Sequence, residues 1–201
     1  MQKSCKFQQK IDKVTIISPQ NTFIEVGAEI GAGTIIYPHN YIKSGVKIGK
    51  NCTLYPNNYI EKSLIGNSCN IGPFAHIREG SELKNKIRLG NFCEVKASII
   101  KDNTKIAHLT YLGDAVIGKN CNIGCGVVFA NFDGKIKQKI TVKDDCFIGC
   151  NTNLIAPLTI GKNCYIGAGT TITKSLKNNS FVVGNRDLKI KENLFKIIKK
   201  H

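Results

Sequence analysis

The chain has 201 residues, of which 42% are hydrophobic and 21% are charged. This composition excludes a wholly disordered polymer and favours one domain with a sizeable core. Basic side chains outnumber acidic ones by 29 to 14, and the resulting net charge of +15 predicts an anionic partner. Only Arg78, Arg88 and Arg186 are arginines. Because arginine dominates the recognition of bases and phosphates in nucleic acids, this lysine-rich charge argues against nucleic-acid binding.

The first 20 residues differ from the rest of the chain, being polar and then apolar from Val14 to Pro19. We interpret residues 1–20 as a short N-terminal lead-in that caps one end of the domain. They contain no apolar core of the kind found in secretory signals, and nowhere does the chain reach the roughly 18 uninterrupted apolar residues of a membrane helix. The sequence therefore predicts a cytoplasmic protein without a membrane span.

Aliphatic residues recur every six positions through most of the remaining chain. The runs extend from Ile24 to Ile60, from Ile65 to Val95, from Ile100 to Phe129 and from Val142 to Ile172, with some shorter steps between and within them. A period of six matches neither an α-helix nor the simple alternation of a long strand, so the chain must turn after each short strand. The pattern predicts a triangular coil whose aliphatic residues point inward and stack from coil to coil. Glycine often follows them, where we expect it to permit the backbone geometry of a tight corner.

The repeat also predicts the domain organisation. Eighteen residues make one coil, so residues 24–177 give about eight coils, spaced about 4.8 Å apart. We assign residues 21–180 to an all-β domain, a left-handed parallel β-helix with a loop near 130–141. The left hand is a property of hexapeptide-repeat proteins and does not follow from the spacing. Residues 181–201 are predicted to form a C-terminal arm with a short amphipathic helix, which covers the other end of the β-helix or contacts a membrane or anion.

The cysteines follow the same repeat. Cys125 and Cys150 lie two positions after an inward aliphatic residue, and six others lie four positions after one. Both are positions for a small side chain, so we expect structural, reduced thiols. The cysteine pairs lack the C-x2-C spacing of a zinc site, and the histidines other than His108 do not fall where three ligands could gather. The sequence therefore predicts no metal site. The six are Cys52, Cys69, Cys93, Cys121, Cys146 and Cys164.

One face of the coil is predicted to carry two cations in successive coils. Arg78 and Lys96, held about one coil apart on a rigid scaffold, could bind a phosphate by charge and hydrogen bonds. Small residues further along would leave room for an extended ligand. We expect the inward residues of this face to form a single column: Ile77, Val95, Leu112, Phe129, Ile148 and Ile166. The residues after them would line one edge: Arg78, Lys96, Gly113, Ala130, Asn131, Gly149, Cys150, Gly167 and Ala168.

His108 is the candidate general base, because histidine is the side chain best suited to accept a proton near neutral pH. It follows Ile106, which belongs to the preceding face. Within one protomer it therefore need not face the edge that carries Arg78 and Lys96. A neighbouring subunit, or the corner itself, would have to bring these residues together.

The polar segment between Phe129 and Ile140 interrupts the repeat with an apparent excess of one residue. Its simplest interpretation is an exposed loop. Loops that project from repeat scaffolds often carry function, and this one contains Lys135, Lys137 and Lys139. The loop is therefore a second candidate functional segment.

Five segments resemble one bacterial enzyme family. The hexads alone are shared by many acyltransferases, but the run from His108 to Asp114 and the run from Asn131 to Gly134 together are highly specific. Over residues 14–186 the sequence resembles the C-terminal acetyltransferase domain of the bifunctional N-acetylglucosamine-1-phosphate uridylyltransferase / glucosamine-1-phosphate acetyltransferase. We recognise no uridylyltransferase domain and expect the acetyltransferase half alone. The five segments are Ile71-Gly-Pro-Phe-Ala-His-Ile-Arg-Glu-Gly, Leu89-Gly-Asn-Phe-Cys-Glu-Val-Lys, Ala107-His-Leu-Thr-Tyr-Leu-Gly-Asp-Ala, Asn131-Phe-Asp-Gly and Ile166-Gly-Ala-Gly-Thr-Thr.

The resemblance implies a reaction, namely acetyl-CoA-dependent N-acetylation of glucosamine 1-phosphate for the synthesis of UDP-N-acetylglucosamine and cell-envelope precursors. It implies a homotrimer with sites between subunits, and acetyl transfer that requires no metal. His108 would be the general base, Glu94 would orient or polarise it, and Asn131 would complete the catalytic set. The sugar phosphate would be bound by Arg78, Lys96, Tyr111, Asn122, Asn131 and Lys137. Acetyl-CoA would contact Cys150, Ala168 and Arg186.

The sequence departs from the family pattern at three places. Cys150 stands where the family usually has serine, which weakens any hydroxyl hydrogen bond to the acyl group. Phe132 replaces the usual tyrosine, and the late CoA-binding arginine aligns one residue off at Arg186, beside Asn185. These departures bear on rate and on CoA affinity more than on reaction type.

Two alternatives stay open. The first is an acetyltransferase for another amino or hydroxy sugar, including a nucleotide-linked one, on the same scaffold. The second is a non-catalytic module that trimerises and assembles with a separate uridylyltransferase chain. A scaffold would need none of the residues that the resemblance assigns to chemistry and phosphate binding, which argues against the second alternative.

Overall fold

The computed structural model describes residues 13–184. Most of the predicted lead-in, Arg186 and the helix predicted within residues 181–201 lie outside that range. The helical content of the described residues is one short 3-10 turn, Pro19–Asn21. No helix in this part of the chain is long and apolar enough to cross a membrane.

Short strands, most of them two residues long, alternate with turns along the described chain, and the strands pair in parallel. Through most of it, successive strands enter three sheets in turn, so that each sheet collects about every third strand. This is the topology of a parallel β-helix, and the left hand expected for hexapeptide repeats is consistent with it. The predicted all-β fold class is confirmed.

Each of the three sheets runs the length of the β-helix. Sheet 1 contains β1 (Thr15–Ile16), β4 (Ile35–Ile36), β7 (Thr53–Leu54), β10 (Asn70–Ile71), β13 (Arg88–Asn91), β16 (Lys105–His108), β19 (Asn122–Ile123), β22 (Phe147–Ile148), β25 (Tyr165–Ile166) and β27 (Phe181–Val182). Sheet 2 contains β2 (Phe23–Ile24), β5 (Tyr41–Ile42), β8 (Tyr59–Ile60), β11 (His76–Ile77), β14 (Glu94–Lys96), β17 (Tyr111–Gly113), β20 (Val128–Ala130), β23 (Asn153–Ile155) and β26 (Thr171–Ile172). Sheet 3 contains β3 (Glu29–Ile30), β6 (Lys47–Ile48), β9 (Leu64–Ile65), β12 (Glu82–Leu83), β15 (Ile99–Ile100), β18 (Ala115–Ile117), β21 (Ile140–Val142) and β24 (Leu158–Ile160).

The aliphatic residues of the six-residue repeat fill the interior. Ile36, Ile42 and Leu54 have no exposed surface, and most of the later aliphatic residues of the repeat are buried to the same extent. Burial of each such side chain contributes about 2 kcal/mol to the free energy of folding. The six cysteines predicted to be packed are buried as well, and burial raises the pKa of the Cys93 thiol to about 11. The core prediction is therefore confirmed.

The glycines after the aliphatic residues serve mainly close packing, which corrects the expectation that they form corners. A Cβ on Gly49 would lie 2.7 Å from the carbonyl carbon of Gly66 in the next coil. A Cβ on Gly124 would lie 2.6 Å from the amide nitrogen of Cys150. Neither glycine has a positive φ. Most left-handed positions are occupied by residues other than glycine, such as Asn103 and Leu109, although Gly72 also has a positive φ.

The segment 131–139 inserts into one face rather than spanning two. Val142 follows Phe129 by 13 positions, where one face ordinarily takes six. Phe129 pairs with Leu154, and Ile148 pairs with Ile123. The prediction that Ile148 and Ile166 continue the column of Ile77 and Phe129 is therefore wrong. It counted the 13 residues from Phe129 to Val142 as two faces, and this assigned every later residue to the wrong sheet. Gly149, Cys150, Gly167 and Ala168 accordingly do not line the edge that carries Arg78 and Lys96.

Candidate active site

Three cations converge where sheet 2 turns into sheet 3. Arg78 follows β11, Lys96 ends β14 and Lys137 reaches them from the inserted loop; we call these three residues the cation corner. The pKa of Lys96 is lowered, first by the hydrogen-bonding contact with Lys137 and by its charge, and then by the charge of Arg78. Such mutual repulsion is typical of a site that binds an anion.

Two carboxylates act on the cations of this corner. Arg78 Nη1 donates a hydrogen bond to Glu94 Oε1 at 2.9 Å, and this contact raises the pKa of Arg78. Asp114 opposes part of the shift at Lys96. Arg78 and Glu94 are both partly exposed, so their guanidinium and carboxylate can still meet a ligand. The corner can therefore bind a phosphate group by charge-assisted hydrogen bonds.

Polar groups close around Gly113, the residue of β17 that pairs with Lys96. A Cβ at this position would collide with the Tyr111 hydroxyl and would lie 2.6 Å from Asn131 Nδ2. Asn131 is buried, and its amide donates to Asp114 Oδ2. The glycine thus leaves the space in which a hydroxyl and an amide meet beside the cation corner.

Asp133 organises the inserted loop. Its carboxylate accepts hydrogen bonds from the amides of Lys135 and Ile136 at 2.9 Å and from the Gln138 side chain at 2.7 Å. These contacts lower the pKa of Asp133. The Gln138 amide donates to the Asn131 carbonyl, which fixes the base of the loop. The prediction of an exposed loop is confirmed, and the loop holds Lys137 over the cation corner.

A second group of predicted residues lies on sheet 1. His108, Cys125, Cys150 and Ala168 each stand two positions after an inward aliphatic residue, and those aliphatic residues pair in consecutive coils. We call these four residues the histidine column. His108, Cys150 and Ala168 are exposed, and Cys125 is half-buried. Asn122, in β19, belongs to the same sheet.

The histidine column and the cation corner flank opposite edges of sheet 2. His108 precedes the corner at Leu109, whereas Lys96 and Gly113 stand at the far end of their strands. Among residues 13–184, no hydrogen bond or ion pair joins the imidazole to another side chain, and Glu94 is paired with Arg78 instead. The placement of His108 on a different face from the cations is confirmed.

Asp114 is a site residue that the sequence analysis did not single out. It accepts the hydrogen bond from Asn131 and acts on Lys96, and it borders a groove of about 310 Å³ that Lys137 also lines. A signal was present, because Asp114 ends the motif that begins at His108. In the described part of the chain, His, Cys, Asp and Glu side chains form no group of three or more able to hold a metal ion.

Comparison with known proteins places these features in context. Residues 27–62 and 139–174 match the family described as bacterial transferase hexapeptide (six repeats). The chain is 42% identical to the bifunctional protein GlmU of Clostridium acetobutylicum, over 96% of this chain and 46% of that protein. It is 50% identical to the GlmU of Clostridium perfringens strain SM101, over 85% of this chain and 41% of that protein. The chain thus spans less than half the length of these relatives.

The fold is also found in solved structures. The UDP-N-acetylglucosamine acyltransferase from Campylobacter jejuni superposes with a TM-score of 0.64, covering 93% of this chain and 78% of that one. Sequence identity is 17%, so this likeness concerns the fold alone.

Proposed function

The chain is a hexapeptide-repeat protein of the bacterial transferase type, homologous to part of the bifunctional GlmU proteins, and from that premise we propose that it acetylates glucosamine 1-phosphate on nitrogen with acetyl-CoA as donor. The product would supply UDP-N-acetylglucosamine synthesis and cell-envelope precursors. We place the reaction in the cytoplasm, where acetyl-CoA is available.

The cation corner is the observation that carries this proposal. Its three cations repel one another, and a sugar phosphate would relieve that repulsion by supplying the counter-charge. Tyr111 and Asn131, which meet over Gly113, would bind the sugar hydroxyl groups next to the phosphate. Among the predicted sugar ligands, Asn122 alone would approach from sheet 1.

Acetyl transfer needs a base and a place for the thioester. A protonated amine is not nucleophilic, so His108 would remove the proton before the nitrogen attacks the thioester carbonyl, and CoA would leave as thiol. Acetyl-CoA would lie along the histidine column, against Cys150 and Ala168, with Arg186 outside the described residues. The Asn131 amide would donate a hydrogen bond to a reacting group that becomes polarised during the transfer. No step requires a metal ion.

The separation of the two groups supports a site between subunits. His108 lies before the strand that Tyr111 begins, whereas Lys96 and Gly113 end their strands, and in a homotrimer the histidine column of one subunit would face the cation corner of the next. An exposed apolar ridge beside the histidine column, formed by Phe74, Phe92 and Leu109, suits burial against a neighbour.

Two substitutions would tune the reaction rather than abolish it. A thiol at Cys150 is a weaker hydrogen-bond donor to the acyl oxygen than a hydroxyl is. Phe132 keeps an aromatic ring on the inserted loop but has no hydroxyl, and its side chain is 59% exposed. We expect lower CoA affinity and a lower rate than a serine and a tyrosine would support.

The test is release of CoA from acetyl-CoA with three acceptors, glucosamine 1-phosphate, glucosamine and UDP-glucosamine, and with inorganic phosphate as a blank. We expect turnover with glucosamine 1-phosphate and a loss of about 1,000-fold in kcat in the His108→Ala variant. His39→Asn is the matched control, because His39 is an exposed histidine with φ of 62°, which asparagine also tolerates. Equal turnover with glucosamine would contradict the phosphate site. No turnover with any acceptor, from a folded protein, would favour the scaffold alternative.

A further inference from the structure

Two of the eight described cysteines differ from the other six. The six buried thiols each donate to backbone carbonyl oxygens, as Cys146 does to Gly161 at 3.0 Å and Cys69 does to Lys84 at 3.1 Å. Cys125 is half-buried and Cys150 is exposed, and neither thiol makes a hydrogen bond to any of residues 13–184. Packing explains the six buried thiols but leaves Cys125 and Cys150 without a structural role.

Cys125 and Cys150 are direct neighbours in adjacent coils. Ile123 pairs with Ile148, so both cysteines stand at the same position after paired residues. The coils approach closely at this point, since a Cβ on Gly124 would lie 2.6 Å from the Cys150 amide nitrogen. Parallel strands are about 4.8 Å apart, which lies within the Cα separation of about 4.4–6.8 Å that a disulfide bridges.

The backbone around the pair is held from both sides. The amide of Asn151 donates to the Cys125 carbonyl at 2.8 Å, and the amide of Gly169 donates to the Cys150 carbonyl at 2.8 Å. The two side chains therefore leave the same face in register, between His108 in the coil before Cys125 and Ala168 in the coil after Cys150. This is the surface along which we place acetyl-CoA, so the inference rests on the proposed function.

We propose that Cys125 and Cys150 form a dithiol site that reacts with the disulfide form of CoA. The Cys150 thiolate attacks one sulfur of CoA disulfide, the S–S bond breaks, and one CoA leaves and takes up the proton that Cys150 lost. The Cys125 thiolate then attacks the Cys150 sulfur of the mixed disulfide, and the second CoA leaves as thiol. Two protein thiols are oxidised to one disulfide, and one CoA disulfide is reduced to two CoA thiols.

The experiment treats the reduced protein with CoA disulfide at pH 8 and follows the intact mass and the cysteine-containing peptides. The expected product contains a Cys125–Cys150 cross-linked peptide that has lost two hydrogens, while the six buried cysteines stay reduced; the peptide with Cys5, which lies outside the described residues, is followed separately. Because CoA would bind beside Cys150, the reaction should run about ten-fold faster than with oxidised glutathione at the same concentration.

Two variants separate the steps. Cys125→Ser should stop at a one-to-one CoA adduct on Cys150, because the resolving thiol is gone. Cys150→Ser should form no cross-link and no CoA adduct on Cys125. The oxidised wild-type protein should lose most of its acetyl-transfer activity and regain it with dithiothreitol, whereas the activity of Cys150→Ser should not respond to dithiothreitol.

Several outcomes would overturn the proposal: CoA adducts on both cysteines without a cross-link, modification that spreads to the buried cysteines, or equal rates with CoA disulfide and oxidised glutathione. Acetyl transfer by the untreated, reduced protein is measured in parallel. If the reduced protein transfers acetyl groups but Cys125 and Cys150 do not react with CoA disulfide, this inference alone is wrong. If the reduced protein transfers no acetyl groups, the proposed function is wrong.

Discussion

The cation corner and the histidine column are built from the same repeat and yet have opposite characters. At the cation corner, charged side chains contact one another, and Glu94 and Asp114 hold them in place. The histidine column consists of one histidine, two cysteines and one alanine, and its exposed side chains make no hydrogen bonds to the described residues. Under the proposed function, one edge would recognise charge, whereas the other would offer a surface for a long ligand and one basic nitrogen.

The sharpest way to break this comparison is to inactivate each region in a different subunit. We expect His108→Ala and Lys96→Ala each to lose at least about 100-fold in activity alone. If each site joins the histidine column of one subunit to the cation corner of the next, denaturing and refolding an equal mixture should restore about one quarter of the wild-type activity, since one site in four then has both intact halves.

The control for that experiment mixes wild-type protein with a variant that carries both substitutions in the same chain. A mixture of the single variants that stays inactive, while sedimentation shows mixed trimers, would place both regions of each site in one protomer. A monomeric protein would exclude the shared site altogether.

The second prediction sharpens the cation corner itself. In Gly113→Ala the new methyl group collides with the Tyr111 hydroxyl and Asn131 Nδ2, so both must move away from the ligand. We expect kcat/KM for glucosamine 1-phosphate to fall about 100-fold, with little change in KM for acetyl-CoA. Steady-state kinetics with each substrate varied in turn measures this.

The matched control is Gly184→Ala, where the nearest atom would be 3.5 Å from the new methyl group, an ordinary contact. It should leave the kinetics unchanged. A Gly113→Ala variant with an unaltered acceptor KM would show that the space over Gly113 is not used by the sugar.

The smallest expected effect concerns the repulsion stored in the cation corner. The folded pKa of Lys96 is lowered, so its charged form is disfavoured by folding at neutral pH, and this penalty disappears as the pH rises above the ordinary lysine value of about 10.4. Lys137→Gln should therefore raise the thermal unfolding midpoint by about 1 °C at pH 7 and low salt. The gain should fade in high salt, which screens exposed charges.

Lys139→Gln is the control for charge alone, because it removes a lysine from the same loop that takes no part in the shift at Lys96. An equal rise in both variants would mean that general charge reduction, rather than the local contact, is responsible. Calorimetry with and without inorganic phosphate measures both effects, and phosphate should stabilise the wild type more than Lys137→Gln.

Much of the site could be predicted because the motifs are local. Arg78 and Lys96 were expected at adjacent coils, and β11 and β14 do pair there. His108 was expected on the preceding face, where β16 carries it. The contacts among side chains were less accessible: the pairing of Glu94 with Arg78 and of Asn131 with Asp114 depends on rotamers that spacing does not encode.

By itself, the sequence determined which residues face inward, because the direction of a side chain in a short strand follows from its position relative to the neighbouring corners. It therefore predicted the core, the buried cysteines and the parallel β-helix. Only the tertiary structure decided which sheet the chain joins after residues 131–139. A 13-residue step preserves the aliphatic spacing almost equally well as one face with an insertion or as two faces, and the pairing of Phe129 with Leu154 resolves it. That pairing moves Cys150 and Ala168 to the column of His108, because strand partners are set by backbone hydrogen bonds between coils and not by sequence distance.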